Sequence, residues 1–237
     1  VEIAVVVAAA GTADRDDAVV GHPLEHRTQG VSAIGDAVYA HLNKPILATI
    51  PLFVFMAQVM IRAKVIDDLY TFAHTVIGHI RGGLGVATVL ACTIFAAISG
   101  SSVATALSIG SSAIPQMKRF GYPERDALGV VAAGGTLGIL IPPSIVMVVY
   151  ASATDVSVGR MFLAGVIPGL LAGTMLMLTI YIMARVKKLP QGEWRGWGEV
   201  ITSGREAGWG LMLIVIIMVG IYGILGKTGA IFTPTEA

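Results

Sequence analysis

The sequence predicts an all-α membrane protein, a polytopic helical bundle that contains a re-entrant helical hairpin and a broken transmembrane helix. Three observations predict it. Of 237 residues, 55% are hydrophobic and only 13% charged, against about 25% charged in a soluble domain, and mean hydropathy is +0.79. The run Gly82 to Met117 carries no charge over 36 residues and is centred on Ser99-Gly100-Ser101-Ser102. A second charge-free run, Ala127 to Thr154, is interrupted by Gly134-Gly135-Thr136-Leu137-Gly138 and again by Pro142-Pro143. The period-two alternation of a membrane barrel is absent.

The elements follow in chain order. Residues 1–45 form an atypical N-terminal segment. Val5 to Ala10 resembles the end of an apolar stretch, and residues 11–30 are polar, with Asp14, Arg15, Asp16, Asp17, Glu25 and Arg27, as in a solvated loop. Ile46 to Ile61 is one short span, with Pro51 tolerated near its first turns. From Val65 to Ile80, apolar residues at 65, 66, 69, 72, 76, 77 and 80 make a helical stripe. Asp67, Asp68, His74 and His79 lie off it or at its edge, which predicts an amphipathic arm helix lying in the interface. Residues 46–80 are therefore a span plus an arm.

Residues 81–154 hold the two interruptions. A continuous helix over Gly82 to Met117 would be about 54 Å long, far more than the roughly 30 Å hydrocarbon core. The chain must turn back, and the polar tetrapeptide is the place. Each arm is then about 15–17 residues, short for a full crossing, which predicts a re-entrant hairpin over 82–117. The basic loop Lys118 to Arg125 follows. Paired Gly and paired Pro cannot sit in a continuous helix, so 127–154 is predicted to be two half-helices joined by an unwound stretch around 134–142. Residues 155–237 add a clean span, Met161 to Ala184, a polar loop with Trp194 and Trp197 at headgroup depth, and a span from about Trp209 to Leu225. Thr233-Pro234-Thr235-Glu236 reads as a capping box that opens one more helix. With a start at Val1 lacking Met, this predicts that the chain is part of a longer protein.

The charges give an orientation. A re-entrant hairpin leaves on the side it came from, so Arg81, the loop 118–125 and the loop 185–195 fall on one side. All are rich in Lys and Arg, which marks that side as cytoplasmic. Asp155 and Arg160 then face outward.

A net charge of +1 argues against nucleic acid as a partner. The lone Cys92 excludes a disulfide framework and a cysteine-based metal site, and reads as a small buried hydrophobe. His74 and His79 are five apart, not the i,i+4 of a helical metal pair. Gly82-Gly83-Leu84-Gly85 lacks the Lys-Ser/Thr of a phosphate loop. Ser101 has no His, Asp or Lys at its depth to activate it, so the chain is not expected to be an enzyme.

What remains is oxygen chemistry at membrane depth. The candidate ion- or substrate-binding residues are Ser99, Gly100, Ser101, Ser102 and Thr105 at the hairpin tip, and Gly134, Gly135, Thr136, Gly138 and Pro142 at the break. Freed carbonyls and hydroxyls suit an alkali cation, placed at Ser99, Ser101, Ser102, Gly135 and Gly138. Without a carboxylate in either interruption, Na+ coupling is favoured over a proton relay. The bland alternative is that the small residues serve helix packing, as at Gly100, Ala104 and Ser108. No cofactor beyond the coupling ion is expected.

The chain also resembles a known family. Ile50-Pro51-Leu52-Phe53-Val54-Phe55-Met56, the run from Gly82 through Thr105, Ala132 through Ser144, and Ile231 through Ala237 resemble, in order, motifs of the large membrane subunit of TRAP (tripartite ATP-independent periplasmic) transporters. The resemblance covers roughly residues 45–237; residues 1–30 do not look like the family's apolar spans. It implies a secondary transporter in the bacterial inner membrane that imports small organic anions, C4-dicarboxylates or sugar acids, with Na+. It also implies a small membrane subunit and a periplasmic binding protein as partners. The implied fold has two inverted repeats and works as an elevator, with Ser99 to Ser102 and Gly134 to Gly138 in the ion site of the first repeat. Two alternatives stay open at this stage: another Na+-coupled carboxylate carrier without a binding protein, and a non-transporting membrane scaffold.

Overall fold

The computed structural model describes residues 35, 36, 38–40, 43–192, 194 and 196–222. The expectations for residues 1–30, 223–225 and 226–237 lie outside that set. A 3₁₀ turn, Pro45–Ala48, leads into α1, Thr49–Arg62. Then come α2, Val65–Ile77; α3, Gly83–Ser99; α4, Ser102–Arg119; and α5, Glu124–Gly135. A second 3₁₀ turn, Thr136–Ile139, precedes α6, Ile145–Thr154. The remainder is α7, Val158–Val186; α8, Trp197–Glu206; and α9, Gly208–Tyr222. Among the described residues the elements are helical throughout, save one isolated bridge between Arg81 and Gln191.

The centre of the bundle is α3. It is apolar on all sides, and such a helix must be surrounded. Val89, Ala91, Cys92, Phe95, Ala96 and Ile98 are fully buried. Its neighbours are α2, α7, α5 and α4. At Gly100 the chain enters the left-handed region (φ 59°), Ser101 is extended, and α4 runs back. Thr88 Oγ1 lies 3.7 Å from Met117 Sδ, so the two arms close into a hairpin whose ends meet. By length and composition, Pro45–Arg62 and Val158–Val186 could each cross a membrane, and Trp197–Glu206 with Gly208–Gly220, bent by 57°, could form a third. Neither hairpin arm nor α6 qualifies among the described residues: α3 and α6 are too short, and α4, at 18 residues, is too polar.

The long helix α7 acts as a ruler for the rest. A methyl group on Gly85 would touch Ile180, and one on Gly173 would touch Thr93 and Leu137. Gly169 faces Ile141, and Gly165 faces the Leu140 carbonyl and Met147. Small residues every four positions let the irregular chain lie against this helix. The broken segment therefore meets α7 between residues 165 and 173, from the second turn of the helix up to its midpoint.

Two expectations are corrected. The backbone departs from α-helix at 136–144, not 134–142; Gly134 and Gly135 still belong to α5. They are small because they touch neighbours. A methyl on Gly134 would stand 2.8 Å from Cys92 Sγ, and one on Gly135 2.7 Å from Ala106 Cβ. The segment expected as a polar loop after 185 turns helical at Trp197, because Ser203 and Ala207 are buried and Gly204 abuts Phe72 of α2. The arm helix α2 buries Val65, Ile66 and Leu69 of its stripe, but also Tyr70 and Ala73. It is packed along α3, and Asp67 accepts a 2.6 Å bond from Ser112 of α4.

The three basic segments do share one end of the bundle. The Gly82 N–H donates to Pro190 O at 3.3 Å, and the Gln191 side chain donates to His79 O at 2.9 Å. Lys187 pairs with Asp126 at 2.6 Å and Lys118 with Glu124 at 3.1 Å. At the opposite end Lys44 pairs with Asp155 at 2.6 Å and donates to the Ser152 carbonyl.

Gly169→Leu should separate α7 from the break, since even a Cβ there would lie 2.9 Å from Ile141 Cγ1. Overpacking of this kind costs about 1–3 kcal/mol, and thermal unfolding of the detergent-solubilised protein should register it as a lowered midpoint.

Candidate functional site

The hairpin tip and the break are in direct contact. The Ile145 N–H, at the start of α6, donates to Gly100 O at 3.1 Å. A methyl on Gly100 would lie 2.7 Å from Pro143 O, and one on Gly138 would lie 2.6 Å from Ser101 C and O. Ser102 O would lie 3.2 Å from a methyl on Gly135. Only hydrogen at these positions lets the two backbones approach, and Gly100 also needs its positive φ. Pro142 and Pro143, joined by a cis peptide, are buried beside the tip.

The polar atoms of the tip form a compact network. The Thr105 hydroxyl donates to Ser101 O at 2.8 Å. Ser99 Oγ lies 2.8 Å from Thr105 Oγ1, and the two hydroxyls share one hydrogen bond. Both side chains are buried. Ser101 caps α4 and its Oγ accepts from the Ala104 N–H at 3.4 Å. The Ser99 and Thr105 hydroxyls are thus engaged with one another and with the Ser101 carbonyl, and each oxygen keeps lone-pair capacity of the kind a cation uses. Among the described residues, no group of three His, Cys, Asp or Glu is available as an alternative ligand set.

Four helix ends converge here. The C-termini of α3 and α5, the latter extended by the 3₁₀ turn, bring partial negative charge. The N-termini of α4 and α6 bring partial positive charge. Such a cluster can hold a cation and an anion side by side.

Of the candidates read from the sequence, Ser99, Gly100, Ser101, Ser102, Thr105, Gly135, Gly138 and Pro142 lie at or against this contact. Two do not. Gly134 faces Cys92 on α3, and Thr136 is exposed, its hydroxyl donating back to Ala133 O at 2.7 Å. Sequence reasoning missed Ser144. It is fully buried, stands at the N-cap of α6, and donates to Ile139 O at 2.9 Å, closing the irregular loop. A Ser directly before an apolar run and after paired Pro is an N-cap signal that could have found it. The Gly165, Gly169, Gly173 series was equally legible as a close-packing stripe.

A helical bundle of mostly apolar elements, with helices long and apolar enough to cross a bilayer and two backbone breaks in contact inside it, defines a membrane protein of the helical class. Residues 4–237 match the family described as "Tripartite ATP-independent periplasmic transporter, DctM component", and the chain belongs to that family. The match takes in residues 4–30, although this segment lacks the apolar pattern expected of the family. Short motifs stand out only where pattern is strong, and the polar stretch 11–30 has little. The chain is 49% identical over 215 residues to the C4-dicarboxylate TRAP transporter large permease protein DctM of Vibrio cholerae, covering 90% of this chain and 46% of that protein. It is 56% identical over 191 residues to the protein of the same description from Pseudomonas aeruginosa, covering 81% and 43%. Against the ectoine TRAP transporter large permease protein TeaC of Halomonas elongata it is 38% identical over 191 residues, covering 81% and 43%. The chain thus spans about half the length of these relatives.

Gly100→Ala should lower stability by about 1–2 kcal/mol from the left-handed backbone alone, with the Pro143 carbonyl adding to the cost. Gly129→Ala is the control. Nothing lies within 4 Å of that position, so removing a mid-helix glycine should leave stability unchanged or raise it by up to about 1 kcal/mol. Thermal unfolding of both variants side by side checks the pair.

Proposed function

We propose that this chain is the first-repeat portion of the membrane permease subunit of a secondary, Na+-coupled importer of small organic anions. The observation that carries the reading is the tip-to-break contact: Gly100 O bonded to Ile145 N, with Gly138 against Ser101, where the break meets residues 165 to 173 of a 29-residue apolar helix. Unwound backbone at that depth is costly unless it lines a site. Na+ is the coupling ion because the ligands are hydroxyl and carbonyl oxygens, held at Ser99, Ser101, Ser102, Gly135 and Gly138. The anion is held at the α4 and α6 N-termini. A C4-dicarboxylate is the favoured substrate, since relatives of that description are 49% and 56% identical while the ectoine permease is 38%.

The rest of the assignment follows the family. Residues 81–154 form half of a mobile transport domain that moves as an elevator, and residues 46–80 supply a fixed span and a connecting arm. Residues 155–237 lead into a second, inverted repeat. A small membrane subunit and a periplasmic binding protein are the partners. The bacterial inner membrane is the location, with the end that carries Arg81, Lys118 and Lys187 facing the cytoplasm.

Ser101→Ala and Gly135→Ala, made in the full-length permease and reconstituted with its partner proteins in proteoliposomes, should each cut Na+-driven uptake of labelled succinate by about tenfold or more, the equivalent of losing one charge-assisted contact. Unchanged uptake in both, with unfolding midpoints near wild type, would sink the ion-site assignment.

A further inference from the structure

We propose that the recess between the end of α2 and the start of α8 binds one anionic phospholipid. The recess holds about 370 Å³ and is lined by Val76, His79, Trp194, Trp197 and Val200. Its walls are apolar or aromatic, which suits the glycerol and upper acyl region of a lipid rather than a free hydrophilic anion. The His79 and Trp194 rings meet edge-on at 4.7 Å, and Trp194 and Trp197 at 5.6 Å. Indoles concentrate at headgroup depth, where one edge is wet and the other apolar. His79 Nδ1 is buried without a hydrogen-bond partner among the described residues, so the recess contains a polar atom still to be satisfied.

The sign of the ligand comes from the surroundings. The recess opens at the basic end of the bundle. Lys118 and Lys187 there are already neutralised by Glu124 and Asp126, and Arg185 lies on Tyr181. Arg81 is exposed, two residues from His79, and bridged to Gln191, whose side chain bonds His79 O. It makes no ion pair among the described residues. Lys188 is exposed close by, two residues before Pro190, which bonds Gly82. Two exposed cations, neither in an ion pair among the described residues, flank this aromatic recess along the chain and match the phosphate of an anionic lipid. The inference concerns the membrane surface and does not rest on the ion site or on transport.

The chain has three tryptophans, and two of them line the recess. Trp209→Phe therefore leaves Trp194 and Trp197 as the reporters. The full chain carrying that substitution would be reconstituted in phosphatidylcholine vesicles doped with phosphatidylglycerol brominated high on its acyl chains, or with equally brominated phosphatidylcholine. At equal mole fraction, brominated phosphatidylglycerol should quench at least about twofold more. Adding Arg81→Ala and Lys188→Ala should bring quenching down to the phosphatidylcholine level, while inorganic phosphate in the buffer should not relieve it. Equal quenching by the two lipids in the parent protein overturns the proposal without recourse to any charge variant. Relief by phosphate overturns it in favour of a free-anion site.

Discussion

The bond from Ile145 N–H to Gly100 O is the contact on which the architecture turns. It joins the tip of one helical excursion to the start of another half-helix, and two glycines make it possible. Gly100 supplies the left-handed turn and the clearance from Pro143, and Gly138 supplies the clearance from Ser101. Side chains at either position would push the two irregular segments apart. The polar backbone of each would then lie against apolar surface with no partner, at a cost of several kcal/mol per group in hydrocarbon. One backbone bond and two close glycine approaches tie the breaks to each other.

The surrounding helices serve that contact. α3 is buried along its length except for the half-buried Leu90, Thr93 and Ile94, and holds the tip at a set distance from the basic end. α7 lends a smooth, glycine-lined face against which the break can lie. Ser144 and Thr105 close the remaining loose ends by bonding carbonyls within their own segments. The polar network at the tip is thus pre-organised by local bonds, and its free capacity consists of oxygen lone pairs and helix ends.

The comparison of sequence with structure is instructive at particular residues. The turn at 99–102 follows from length and polarity together: a charge-free run longer than the membrane is thick has to fold back, and the polar tetrapeptide marks where. The second break was displaced by two residues. Gly134 and Gly135 look like helix breakers, but each is small because of what it touches, Cys92 and Ala106, and the helix continues through both. A glycine in sequence does not reveal whether its missing side chain serves a turn or a neighbour. The helix Trp197–Glu206 was taken for loop because its polar residues outnumber its apolar ones. What it buries is Ser203, the half-buried Gly204 and the Ala207 just past its end, which carry little hydrophobic signal.

Hydropathy and charge-run lengths determined the class of protein, the hairpin and the grouping of basic segments at one end, since these follow from the mismatch between helix length and bilayer thickness. The order of motifs carried the family. The meeting of tip and break, the exclusion of Gly134 and Thr136 from that contact, and the recess at His79 were decided by tertiary structure. Those depend on how close two backbones come in space and which way each residue faces, and neither quantity is encoded by spacing along a single chain.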